Sequence, residues 1–463
     1  MADDDIIFGS IEDLTDLFRR REVSPVEVTE MVLDRISEFN DDLSSYLTVT
    51  ADLAREQARI AELRYMRVDE ELSPVLGVPA SIKDLFDVRG VVTSLGSLLY
   101  GKSAARSDSF PVSLLREAGA VFVGKSNTAE FGQSATTDNL LGRECRNPWD
   151  TTRTSGGSSG GAASSVGAGL AVFALGSDGG GSIRIPAAMC GLFGIKPTFA
   201  PTAESESFHG MTDFVVSGPI TRTVADARIV LSVLAQRRIV RDLHSPRRRI
   251  AWCPAPEGHP VAPEVRKLMD EAVQTLINLG HDIEEVDLPI GGWTKAFGPL
   301  VLRDEARYRQ HLLEESGDQL TKYARRAIEV SARVTDAEVL SAMAMRVDVQ
   351  RRVAEVLRTY DFIVTPTLAT VAFPVGDRPT HIDGMKVDSL WGPFPFTAPF
   401  NVAGSPAATV PVGVANGMPV GLQIVGPFYG EDLVLDFCEE IEENVGFPTS
   451  EMATRWRRVH LGA

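Results

Sequence analysis

Cysteine is scarce in this chain. Cys145, Cys190, Cys253 and Cys438 are the four among 463 residues, and no two form a C-x-x-C pair. Such spacing supplies neither a disulfide framework nor a thiolate metal site, so no metal is expected. Positive charge is also short: 46 Lys and Arg stand against 63 Asp and Glu, a formal net charge of −17. That balance argues against a nucleic-acid or anionic-membrane surface. No apolar run reaches the ~20 residues that span a bilayer. The opening Met1-Ala2-Asp3-Asp4-Asp5 lacks the basic flank and apolar stretch of a secretory signal. A cytoplasmic protein without cofactor, nucleic acid or membrane partner is the expectation. Histidine is rare too, and His209, His244, His259, His281, His311, His381 and His460 sit in polar or loop-like settings without an orienting acid. Most of them are expected at the surface. No internal repeat, heptad array or low-complexity tract occurs.

What is present reads as a large globular core. Hydrophobic residues make up 44% and charged residues 24%, ordinary values for a globular protein. Helical patterns over 10–21, 24–40 and 51–68 open the chain. The second starts with Ser24-Pro25-Val26-Glu27, an N-cap, a first-turn proline and a capping-box glutamate. Residues 75–82 then change to a buried strand that ends on Lys83-Asp84. A helix over 110–118, a strand over 120–123 and a helix start over 128–132 continue the alternation. Further on, helices are expected at 223–236 and 261–279, strands at 249–253 and 283–286, and mostly helix over 293–360. Strands at 361–366, 407–412 and 420–425 follow, the last two bracketing the hairpin turn Asn416-Gly417. A helix over 431–443 closes the pattern.

Two strings, Gly119 to Ser126 and Gly96 to Ser103, satisfy G-x-x-x-x-G-K-S. A phosphate-binding loop is a glycine-rich turn after a strand. In the first string the four middle residues are apolar and read as the strand itself, so ATP binding is not expected.

The chain is organised around two Gly/Ser clusters, Gly156-Gly157-Ser158-Ser159-Gly160-Gly161 and Gly176-Ser177-Asp178-Gly179-Gly180-Gly181-Ser182-Ile183-Arg184. Dense glycine belongs where backbone must approach something closely or adopt positive φ. With serines among them, such clusters suggest exposed N–H groups around a hydroxyl, the material of an oxyanion hole beside a nucleophile. A flexible linker would not carry the apolar runs 162–175 and 183–195 between its glycines. The G-x-S-x-G elbow needs a strand before it, whereas Asn147-Pro148-Trp149-Asp150 is a turn-rich loop. A phosphate cradle would lack its lysine and magnesium ligands. A serine hydrolase needs a base, and Lys83, at the end of an apolar strand, is the lysine whose burial could lower its pKa from ~10.4 towards neutrality.

These motifs together resemble the amidase signature family. The resemblance rests on Gly77-Val78-Pro79 with Lys83-Asp84, on both Gly/Ser clusters, and on Pro186-Ala187-Ala188 with Cys190-Gly191 and Gly194-x-Lys196-Pro197-Thr198. Gly218-Pro219-x-x-Arg222-Thr223, Asp361-x-x-x-Thr365-Pro366-Thr367 and Phe396-Thr397-Ala398-Pro399-Phe400-Asn401 extend it. It implies an α/β fold, one large domain over 1–463 with a mixed, twisted sheet covered by helices on both faces. Its parts would be N-terminal helices (10–68), a catalytic core (75–236), a divergent, mainly helical segment (237–360) and a return to the core (361–445). It also implies a Ser–cis-Ser–Lys triad: Ser182 as nucleophile, Ser158 as bridging serine next to a cis peptide bond, Lys83 as base. Backbone N–H groups of Gly179, Gly180, Gly181 and Ser182 would form the oxyanion hole, with Asp178 and Arg184 bracing the loop.

Two residues depart from the family pattern. Gly179 stands where many relatives carry Thr or a larger residue, leaving room above the oxyanion hole, and Ser155 stands where many carry Pro. The stretch 199–216, including Glu204-Ser205-Glu206-Ser207-Phe208-His209-Gly210-Met211, does not match the family's continuation. Phe131, Phe208, Met211, Trp391 and Phe394 are expected to wall a substrate pocket. The expected activity is hydrolysis of largely apolar amides, with carbamates and esters as extensions and water as co-substrate; a homodimer is left open. The alternatives are the glutaminase subunit of a tRNA-dependent amidotransferase and a non-catalytic binding protein on the same fold.

Overall fold

Stretches buried on both faces of a sheet read as unbroken apolar runs rather than as alternating patterns, and most strands of this protein are of that kind. In a computed structural model, residues 3–67, 71–200, 208–242, 247–388, 390–448 and 455–456 are described. The strands of the main sheet are β1 (Tyr46–Val49), β2 (Pro79–Lys83), β3 (Val121–Ser126), β4 (Phe173–Asp178), β5 (Phe193–Lys196) and β6 (Val216–Thr221). They continue with β7 (Arg249–Trp252), β8 (Asp282–Glu285), β9 (Phe362–Pro366), β10 (Ala407–Ala415) and β11 (Met418–Val425). These eleven strands pair in the order β1-β3-β2-β4-β6-β5-β10-β11-β9-β7-β8.

The sheet is mixed. β3, β2 and β4 run parallel on one side, and β9, β7 and β8 run parallel on the other. Antiparallel pairs from β4 to β9 join the two wings. Helices pack against it, as the α/β expectation requires. No described helix is long and apolar enough to cross a membrane.

The capping signals place the N-terminal helices. Ser10 caps Ile11–Arg20 and Ser24 caps Pro25–Leu43, each with a reciprocal capping box. The third helix, Ala51–Tyr65, stops short of the expected end at 68, which lies outside the described residues. β2 starts at Pro79 rather than 75, because Gly77 turns with φ +76° and a Cβ there would meet Pro25 at 2.8 Å. β3 runs on through Gly124-Lys125-Ser126, so the string resembling a phosphate loop is strand. Lys125 Nζ is buried against Asp84 at 2.6 Å. The helix expected from 128 is a single tight turn, Glu130–Gly132, because Phe131 takes φ +56° and breaks it.

The divergent segment 237–360 is joined to the main sheet. It contributes β7 and β8 to the sheet edge, its helices Trp293–Ser316 and Lys322–Ser331 line a cavity with Gly180 and Ser182, and its helix Asp336–Thr359 packs on Trp293–Ser316.

Candidate active site

Strand register brings the two clusters and the lysine together. β2 and β4 are parallel neighbours with Ile82 opposite Leu175, so Lys83 ends its strand beside the Gly176-Ser177 end of β4. The fully buried Lys83 donates from Nζ to Ser158 Oγ at 2.7 Å and to Ser177 Oγ at 2.9 Å. Burial pushes its pKa down from 10.5 to about 7, with the nearby Asp178 charge pulling weakly the other way. Ser158 follows a cis Gly157–Ser158 peptide and lies just before the helix Gly160–Gly167. That helix needs its glycines: a Cβ on Gly161 would sit 2.4 Å from the Asn127 nitrogen.

Ser182 lies in the loop between β4 and the short helix Arg184–Met189. The Asp178 carboxylate anchors this loop. It accepts from the Gly181 N–H at 2.7 Å and from Arg184 Nε and Nη2 at 2.9 Å each. Arg184, fully buried, also donates to Thr397 O (2.9 Å), Gln423 Oε1 (2.7 Å) and Asn401 Oδ1 (2.6 Å). Asn401 Nδ2 returns to Asp178 at 2.8 Å, and Thr397 Oγ1 donates to Gly180 O at 2.8 Å. Burial alone would raise the Asp178 carboxyl; the Arg184 guanidinium outweighs it and holds the group well below the ordinary carboxylate range. Asp178 and Arg184 thus stand as braces of the loop.

One expectation fails here. The Gly181 N–H is spent on Asp178 and is not open to an oxyanion. Gly179, Gly180 and Ser182 keep N–H groups without a described protein acceptor.

Ser182 sits where two cavities meet. The inner one, about 40 Å³, reaches Ser158, Ser177, Phe131, Phe208, Met211 and Arg309. The outer one, about 400 Å³, is walled by Met211, Trp293, Phe297, Val301 and Trp391. Phe131, Phe208, Met211 and Trp391 therefore line the cleft as expected. Phe394 does not. A turn closed by its N–H on the Trp391 carbonyl (2.8 Å) buries it completely against Phe373 and beneath Arg378. The room expected above Gly179 is also filled: a Cβ there would meet Met211 Sδ at 2.6 Å.

Several contributors escaped the sequence reading. Ser177, Thr397 and Asn401 stood inside recognised motifs without a role. Gln423, a lone amide between Leu422 and Ile424 in a buried strand, was a usable signal. Trp293 and Phe297 carried none, since nothing local says which helix faces the serines. Of the histidines, His281 is buried rather than exposed, with its ring nitrogens engaged by Arg248 N and Glu440. His209 is exposed but lies on the inner cavity. Residues 204–207 of the unmatched stretch, with His244 and His460, lie outside the described residues. Among the described residues no group of three His, Cys, Asp or Glu is placed to hold a metal ion.

A family model described as Amidase matches residues 27–435. A glutamyl-tRNA(Gln) amidotransferase subunit from Moorella thermoacetica is 34% identical over 486 aligned residues, spanning 96% of this chain and 98% of the relative. A crystal structure of an amidase superposes with TM-score 0.88 at 28% identity, covering 95% of this chain and 100% of that one. A bacterial aryl acylamidase of the amidase signature enzymes superposes with TM-score 0.86 at 27% identity, over 98% and 99%.

Proposed function

The chain belongs to the amidase family, whose members hydrolyse C–N amide bonds, and from that premise we propose that it cleaves largely apolar amides through an acyl-enzyme on Ser182. The carrying observation is Lys83: fully buried, hydrogen-bonded to two hydroxyls, and next to the cavity that holds Ser182. A lysine lowered to a pKa of about 7 is neutral in a large fraction at that pH and mostly so about one unit above it, and can serve as a base.

The steps follow from the arrangement. Ser182 Oγ attacks the carbonyl carbon while its proton passes to Ser158 and the Ser158 proton passes to Lys83 Nζ. Negative charge builds on the carbonyl oxygen, and the N–H groups of Gly179, Gly180 and Ser182 are the donors available to it. Collapse breaks the C–N bond, and the proton held on Lys83 returns through Ser158 to the leaving nitrogen. Water then attacks the Ser182 ester, giving its proton to the same relay, and Ser182 is restored as the acid departs.

The aromatic walls of the outer cavity support aryl amides and anilides over short polar amides. Each additional buried CH₂ is worth ~0.8 kcal/mol. Carbamates and esters offer the same acyl chemistry. A second reading draws on the 34% identical relative: the glutaminase subunit of a tRNA-dependent amidotransferase, a role that implies companion proteins and a tRNA. One panel separates the two. The purified chain is given aryl amides, aliphatic amides, carbamates, esters and glutamine, with a fluorophosphonate as covalent probe. Labelling at Ser182 with aryl amides ahead of glutamine is expected; ammonia from glutamine alone would move the assignment to the second reading. Ser182→Ala should abolish turnover without loss of fold. Near wild-type turnover in that variant would remove Ser182 from its role.

A further inference from the structure

The inner cavity carries a guanidinium that the hydrolytic relay does not use. Arg309, on the helix Trp293–Ser316, is 4% exposed, and its Cζ lies 4.4 Å from the centre of the Phe131 ring. One turn back, the fully buried Glu305 pairs with its Nη1. Gly210 closes the wall around it, since a Cβ there would stand 2.9 Å from Nη1. Stacking, ion pair and wall together fix the plane of the group. A guanidinium carries five N–H donors, and among the described residues no acceptor pairs with its Nε or Nη2. It lines the same small cavity as Ser158 and Ser182. At about 40 Å³, that cavity has room for roughly three water-sized atoms.

Resting on the amide-hydrolase reading above, we propose that Arg309 is a specificity determinant that donates to a second, neutral carbonyl of the substrate, carried on a short linker from the scissile bond. The group that fits is a carboxamide-type head of one carbon, one oxygen and one nitrogen. Charge decides for a neutral acceptor over a carboxylate. Glu305 pairs with Arg309, with burial raising its carboxyl to about 7 against the pull of the guanidinium; above that pH the cation is already balanced, and a second carboxylate would set two anions on it. The apolar part of such a substrate takes the outer cavity, with Ser182 at the junction.

The test is a matched set of N-benzyl amides whose acyl chains end in methyl, carboxamide or carboxylate, with linkers of one to three methylenes. For the wild type, the carboxamide is expected to exceed the methyl compound about tenfold in kcat/KM, the size of one added hydrogen bond, with the carboxylate poorest. In Arg309→Met that ratio should fall to within about twofold. In Glu305→Gln, with the cation no longer balanced, preference should turn towards the carboxylate. Arg309→Met strands Glu305, so the double variant Arg309→Met/Glu305→Gln gives the same reading if the single one does not fold. A wild type without carboxamide preference at any linker, or a preference that survives loss of Arg309, overturns the assignment. Failure to cleave any of the three ends overturns the amide-hydrolase reading beneath it.

Discussion

Lys83 would be a cation in water, whereas in this protein burial takes it out of bulk solvent, leaves it two hydroxyls in exchange and favours its neutral form. With its pKa lowered to about 7, kcat/KM on a neutral amide should climb through that pH and stay level into the alkaline range. Lys83→Ala should lower kcat by ~10²–10⁴, the usual scale of a lost general base. A pH–rate profile of both proteins checks this, and an unchanged profile in the variant would place the base elsewhere, among the histidines. Stability follows the same group. Below pH 7 the lysine is charged in both folded and unfolded states and the fold bears the full cost of burying it. Between about 7 and 10.5 the unfolded chain binds more protons, so stability rises with pH. Lys196, also fully buried and lowered to about 7 by burial and by Arg184, adds a second contribution of the same sign. Denaturant unfolding across that window should therefore show a shallower rise in Lys83→Met than in the wild type, but not a flat one.

In the proposed mechanism catalysis depends on the loop bearing Ser182, and its glycines are not equivalent. Gly181 has φ +126° and a Cβ there would stand 2.2 Å from Thr397 Oγ1. Gly181→Ala should strain the loop by ~1–3 kcal/mol and remove most activity. Gly179→Ala would crowd the Met211 side chain, 2.6 Å from Sδ and 3.2 Å from Cβ, so Met211 must shift; the variant should still fold and lose activity chiefly on bulky substrates. Thermal melts and kcat/KM measured side by side distinguish the two. Arg184→Met would leave Asp178 buried without its cation, at a cost of about 3–5 kcal/mol. Much of this element was legible beforehand. Two glycine clusters with serines announce close backbone approach, and Lys83 at the end of an apolar strand announces burial. The strands were legible for a similar reason, being apolar runs between turn signals. Less legible was direction. Trp391 and Phe394 look alike in sequence, and only the turn between them sends one to the cleft and the other to the core. The Gly181 N–H is claimed by Asp178 through a three-residue contact that motif matching does not resolve.

On the scale of the whole molecule, the helical segment after β8 is fastened to the catalytic half through Glu130. This fully buried carboxylate accepts from Ser97 Oγ at 2.6 Å and from Thr321 N and Oγ1 at 2.8 and 2.6 Å. Tyr323 adds a hydroxyl that accepts from Glu130 N and donates to Asp138 O. Because Tyr323 also lines the outer cavity, Glu130→Ala should raise KM for apolar amides several-fold while kcat changes little. It should also cost ~1–3 kcal/mol of stability from the unsatisfied partners. A fall in kcat with KM unchanged would place Glu130 in the chemistry instead. The bracing of Arg184 has a consequence for biosynthesis. Lys83, Ser158 and Ser182 have all been translated by the first two-fifths of the chain, yet Thr397, Asn401 and Gln423 come 213, 217 and 239 residues after Arg184. At about 5–20 residues per second, the nascent polypeptide carries Ser182, the proposed nucleophile, for roughly 10–50 s before the residues that hold Arg184 are made. A chain stopped at residue 390 should accordingly leave a fluorophosphonate unreacted. The emerging protein should then stay unreactive towards the esters and amides around it until its own C-terminal residues arrive.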